Sequence, residues 1–132
     1  MKKEDIIAFF VFIIVLFIID LFWLVGARKL HQETIFNIQK SPLVLNKVAG
    51  ALFYVLAAFT FILVIHKIAS NSARDSAIYG AIVGAAMYFT FDLTNKAIFT
   101  NYKWKYAIMD GLWGTFAVAL ASFITTKIVY VH

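Results

Sequence analysis

The chain has 132 residues, of which 63% are hydrophobic and only 14% charged, with a formal net charge of +5 and no cysteine. A soluble domain is typically about 45–50% apolar and about 25% charged, so this composition excludes an ordinary soluble fold and points to a single integral membrane domain over residues 1–132. The missing cysteine excludes disulfides, thiol nucleophiles and thiolate metal sites, and basic residues in so apolar a chain meet lipid headgroups rather than nucleic acid.

Met1 to Asp5 is a short polar lead. Residues 6–27 then run almost unbroken through Phe, Ile, Val and Leu. That is longer than a signal-peptide core of about 7–15 residues and suits a spanning helix of about 20. Asp20 within the run also speaks against a cleaved signal. Residues 28–43 form a polar connection that carries Leu30, Ile35, Phe36 and Ile38, a pattern that fits a short amphipathic segment at the membrane interface. Pro42 stands just before the second apolar run, residues 44–68, where it would help to start a helix. Tyr54 lies well inside that run, and His66 and Lys67 stand at its far end. Ala69 to Asp75 is a tight polar turn. A third span follows at residues 76–98, then a wet aromatic loop with Asn101, Tyr102, Lys103 and Trp104, and a fourth span at residues 106–131.

The expected fold is therefore all-α, a four-helix transmembrane bundle with a short interfacial amphipathic segment between helices 1 and 2. Four spans put both termini on one side and the 28–43 and 99–105 loops on the other. Arg28, Lys29, Lys40, Lys47, Lys96, Lys103 and Lys105 on the loop side outnumber Lys2, Lys3, Lys67, Arg74 and Lys127 on the terminal side. That balance leans toward cytoplasmic loops and external termini.

The third span carries the densest information. Gly80, Gly84, Tyr88 and Asp92 recur every fourth residue and so stack on one helical face, which Asn95 continues at i+3. Gly80 and Gly84 form a GxxxG step that lets a neighbouring helix approach closely. The fourth span offers a matching small face through Gly114, Ala117 and Ala121. A carboxylate at membrane depth costs about 2.5–3.5 kcal/mol on insertion scales and marks a functional site by default. Asp20, Asp92 and Asp110 all fall in the same half of an up-down bundle, roughly one to two turns, or about 7–10 Å, below the interface.

Asp20-Leu-Phe-Trp23 and Asp110-Gly-Leu-Trp113 each set an indole three residues after the acid. On antiparallel helices this pattern hints at an inverted repeat, and it gives each buried indole a nearby acceptor. On the second span, Asn46, Gly50 and Tyr54 step at i+4 and would close the polar region from the remaining side. The candidate pocket is thus Asp20, Asp92, Asn95 and Asp110, lined by Tyr54, Tyr88, Trp23 and Trp113, and open toward the 28–43 loop. Three acids so close repel if all are ionised, so a proton or a cation must share the site. Lys96, one turn after Asp92, offers a charge, although snorkelling to the interface is the commoner role of such a lysine.

An all-oxygen Mg²⁺ or Ca²⁺ site on Asp20, Asp92 and Asp110 is chemically reasonable. The blander alternative makes each aspartate a buried acid that pins helices through Trp, Tyr or Asn donors. His31, His66 and His132 are not paired at metal-ligand spacing, and no phosphate loop, nucleophile elbow or HExxH is present. No cofactor is expected.

The run Tyr88-x-Thr90-Phe91-Asp92-Leu93-Thr94-Asn95, followed by Trp104 and by Asp110-x-x-Trp113-Gly114, resembles a family of small four-helix membrane proteins catalogued as domain of unknown function 2177. Asp20-x-x-Trp23 and Leu52-Phe53-Tyr54 fit the same pattern, so the resemblance covers essentially the whole chain. It implies a four-span fold and a polar motif set, with no activity attached. The leading functional expectation is a channel-like or transporter-like protein whose acidic pocket binds or conducts a proton, a cation or a cationic small molecule. One alternative is a lipid-binding or lipid-modifying protein that uses the pocket for a headgroup. Another is a structural or assembly factor. A non-enzymatic role is favoured, with the bilayer, a cation or lipid ligand and further copies of the chain as partners.

Overall fold

The computed structural model describes residues 1–132 as an all-helical bundle without strands. Its helices are α1 (Lys3–Gly26), α2 (Arg28–Gln39), α3 (Lys47–Ala69), α4 (Ala73–Ile98) and α5 (Trp104–Val129). Four of them, α1, α3, α4 and α5, are long and apolar enough to cross a membrane. The expected four-span architecture forms, and α2 is the amphipathic segment between the first two spans.

Local capping moves the helix starts away from the edges of the apolar runs. The Lys2 backbone N–H donates to Asp5 Oδ2 at 3.1 Å, and α1 begins at Lys3 rather than at residue 6. Pro42 does not start the second span. It lies in a non-helical lead, and Asn46 caps α3 by accepting the Ala49 N–H at 3.0 Å. Ser72 caps α4 by accepting the Asp75 N–H at 3.1 Å, so that helix starts at Ala73 instead of residue 76. α5 starts at Trp104 and ends at Val129, each two residues earlier than the apolar run suggests. A side-chain cap is worth about 1 kcal/mol, enough to set a helix start within a few residues.

Residues Phe61–Ile65 of α3 wind as a π-helix. The wider turn offsets the two halves of α3, so that Tyr54 reaches Asp20 of α1 while His66 stacks on Tyr130 with ring centroids 3.7 Å apart. Phe61 itself is fully buried and stacks on Phe12 of α1 at 4.8 Å.

α4 and α5 are the closest pair of helices. A Cβ on Gly84 would stand 2.5 Å from the Gly114 carbonyl oxygen, and one on Gly80 would stand 2.6 Å from Ser122 Oγ. On the opposite face of the contact, the Phe89 ring covers Gly111 and the Tyr88 ring covers Gly114. In the same register Thr126 Oγ1 donates to Ser76 Oγ at 2.8 Å. Lipid tails are as apolar as leucine, so close dispersion contact replaces the hydrophobic effect as the force between spanning helices. α1 packs on α5 and α3 through Ala8, Phe12, Leu16 and Ile19 against Ala58, Phe61, Ala117 and Ala121. Exposed Phe10, Phe22, Leu52, Ile82 and Phe116 belong to the outer coat that would face lipid.

The glycines predict opposite outcomes for one chemical change. Gly114→Ala drives a methyl into the Tyr88 ring and should cost about 1–3 kcal/mol or more. Gly50 has open space around it, so Gly50→Ala should be neutral or stabilising by up to about 1 kcal/mol. Thermal unfolding in detergent reads both, and equal shifts in Tm would contradict the packing described.

Candidate functional site

α1 and α5 run antiparallel, which sets Asp20 level with Trp113 and Trp23 level with Asp110. Trp23 Nε1–H donates to Asp110 Oδ1 at 3.1 Å, and Trp113 Nε1–H donates to Asp20 Oδ1 at 3.1 Å. The two indoles stack between these bonds, 5.6 Å apart and 12° from parallel. Each indole therefore serves the acid of the opposite helix, not the acid three residues before it on its own. The reason is geometric: in an antiparallel pair, equal DxxW spacings bring each indole beside the facing acid. Tyr54 adds a third helix, its hydroxyl donating to Asp20 Oδ2 at 2.7 Å. Both oxygens of Asp20 are thus bonded. Asn46 and Gly50 do not join Tyr54 there, since one is the α3 cap and the other faces open space.

Asp92 is fully buried on α4 and faces Asp110 on α5, in the same register as Ser76 opposite Thr126. The Asp110 carboxyl group is a close neighbour of the Asp92 carboxyl group. The Tyr102 hydroxyl donates to Asp92 Oδ1, while Asp92 Oδ2 is buried without a conventional donor. The loop before α5 is thus not simply wet, because Tyr102 folds inward and is only 2% exposed. Burial, reinforced by the Asp92 carboxyl, pushes the Tyr102 hydroxyl above its ordinary pKa and keeps it a donor.

The remaining expected residues take lesser places. The Asn95 side chain sits beside the Tyr102 hydroxyl rather than on an acid. Tyr88 lays its ring over Gly114, and its hydroxyl bonds none of the acids. Lys96 is not a counter-ion for Asp92, because its Nζ lies over the Trp104 ring, 5.6 Å from the centroid. The three acids do not form a metal-holding group. Asp20 and Asp110 direct oxygens at indoles of opposite helices, so the oxygen site on Asp20, Asp92 and Asp110 does not assemble.

Sequence reasoning missed His31, Tyr102 and Tyr106. His31 is buried on α2, with Nδ1 hydrogen-bonded to the Tyr106 hydroxyl at 2.8 Å and Nε2 3.3 Å from the Trp23 carbonyl. Its ring stands edge-on to Trp23 and Tyr106, which pins α2 against the network. The spacing of Tyr102, Tyr106 and Asp110 at every fourth residue was the available signal for the two tyrosines. Nothing in the α2 sequence separates His31 from an interfacial histidine. At the opposite end of the bundle, the Tyr130 hydroxyl donates to Asp5 Oδ1 at 2.6 Å.

Residues of the 28–43 segment border a hollow at the surface of the bundle. This hollow, about 430 Å³, is lined by Gln32, Glu33, Phe36, Asn37, Pro42 and Leu43. A second hollow of about 310 Å³ lies against Trp23, Met109, Leu112, Trp113 and Phe116. Neither includes an aspartate in its lining.

The fold and the paired acids define a small integral membrane protein of four helical spans. A family model described as a predicted membrane protein (DUF2177) matches residues 5–127, and the chain belongs to that family. The resemblance read from the Asp92, Trp104 and Asp110 motifs is borne out. No curated protein and no solved structure matches the chain.

The crossed geometry predicts a specific pattern of coupling. In a double-mutant cycle on thermal stability, Asp20→Leu and Trp113→Phe should be coupled by about 0.6 kcal/mol and at most about 1.7, the range found for hydrogen bonds between membrane helices. Asp20→Leu and Trp23→Phe should be coupled less. The reverse order would mean that each indole serves its own helix.

Proposed function

We propose that this protein binds a proton between Asp92 and Asp110 and acts as a channel-like or transporter-like protein for protons. The observation that carries this reading is the fully buried Asp92, whose Oδ2 lacks a donor and whose neighbour is a second acid, Asp110. Two ionised carboxylates in contact repel, and a buried acceptor without a donor costs about 1–3 kcal/mol. One proton held by the pair removes both penalties at once, and it belongs to the pair rather than to either residue. The remaining charge is met by Trp23 at Asp110 and Tyr102 at Asp92.

The surroundings favour a proton over a larger cation. Indole N–H and phenol O–H groups stabilise an anion, whereas a dehydrated metal ion needs a shell of oxygen acceptors. The headgroup reading gains no support from hollows that leave the acids out. For Asp20 a structural role is the better reading, because both its oxygens accept hydrogen bonds from other helices.

Proton uptake by liposomes under an imposed potential tests the assignment. Wild-type protein should acidify the vesicles, Asp92→Asn should fall to the level of empty vesicles while keeping its fold, and Asp20→Asn should retain flux with a lower Tm. Wild-type vesicles no leakier than empty ones, or an Asp92→Asn variant as active as wild type, would overturn the reading.

A further inference from the structure

The outer face of the α1–α5 seam has a composition of its own. The hollow of about 310 Å³ there is lined by Trp23, Met109, Leu112, Trp113 and Phe116, all apolar. Both indole N–H groups are already given to Asp110 and Asp20, so the hollow offers no donor to whatever enters it. Its occupant must be hydrocarbon.

Lys105, Met109, Leu112 and Phe116 stand at i, i+4, i+7 and i+11 of α5 and therefore form one stripe along the helix. From Lys105 to Phe116 the helix rises about 16 Å, close to half of a hydrocarbon core about 30 Å thick. The stripe thus has the length of one leaflet, with its charge at the loop end. Lys105 is exposed and in no ion pair. Around it the loop end carries Arg28, Lys29, Lys40, Lys47, Lys96 and Lys103 but only one exposed acid, Glu33, which lies 3.9 Å from Lys29. Charge complementarity therefore selects an anionic headgroup above the apolar hollow.

We propose that this hollow seats one acyl chain of an anionic phospholipid whose phosphate meets Lys105. The hollow shares Trp23 and Trp113 with the acid network but no acid lines it, and its occupancy does not depend on proton binding there. The occupant comes from the surrounding bilayer, and a lysine near the membrane surface gives it about a fivefold preference over a zwitterionic lipid.

Native mass spectrometry of the full-length protein, released from detergent with equimolar phosphatidylglycerol and phosphatidylcholine of matched chains, tests the site. Wild type should retain phosphatidylglycerol about fivefold over phosphatidylcholine. Lys105→Glu should abolish that preference, and Leu112→Trp, which fills the hollow from an exposed position, should lower retention of both lipids. Leu52→Trp, on the exposed face of α3, should leave retention unchanged. Equal retention of the two lipids by wild type would overturn the proposal. So would a preference that survives Lys105→Glu, or a loss in Leu52→Trp equal to that in Leu112→Trp. Proton flux is a separate readout, so failure of either assignment leaves the other standing.

Discussion

Three carboxyl groups held inside an apolar bundle, with no lysine or arginine paired to them, each require hydrogen-bond donors from another part of the chain. That requirement organises the loop-side half of the molecule. Asp20 draws Tyr54 from α3 and Trp113 from α5, Asp110 draws Trp23 from α1, and Asp92 draws Tyr102 from the loop before α5. The donors lie far from their acceptors in sequence, so satisfying the acids also fixes which helices meet and at what height. Bonds of this kind contribute modestly one by one in a membrane, because the separated helices find other partners. Their directionality nevertheless selects one register among the sliding arrangements that uniform apolar faces would allow.

The acids can meet only because α4 and α5 approach to backbone contact. Gly84 against Gly114, with Tyr88 and Phe89 laid over Gly114 and Gly111, removes the side-chain layer that would hold the helices apart. Asp92 and Asp110 lie at the loop end of this seam, and the bond between Thr126 and Ser76 lies at the terminal end. Packing and polarity are thus set by one repeat of small residues and continue each other along the same face.

The two ends of the bundle are built differently. The loop end gathers acids, indoles and tyrosines under α2, which His31 ties down. The terminal end closes with a smaller set, the Tyr130 hydroxyl on Asp5 and the stacked ring of His66. Burial, with Asp5 beside it, raises the Tyr130 hydroxyl above its ordinary pKa and keeps it a donor. The concentration of buried acid at one end gives the molecule a chemical polarity along the bundle axis.

The amino-acid sequence by itself determined the four spans, the short segment after the first, the close face of Gly80 and Gly84, and the placement of Asp20, Asp92 and Asp110 in one half of the bundle. These follow from hydrophobic run length and from helical periodicity, which are local properties of the chain. Family membership was equally legible, in the motif around Asp92. Helix starts at Lys3, Lys47 and Ala73 were displaced by capping groups whose hydrogen bonds an apolar run does not display. Only the tertiary structure decided the partners: that each indole crosses to the opposite helix, that Tyr102 and His31 turn inward, that Lys96 turns to Trp104, and that Asp92 is left facing Asp110. Those choices depend on the relative height and rotation of separate helices, quantities set by packing between segments many residues apart and carried by no single stretch of the sequence.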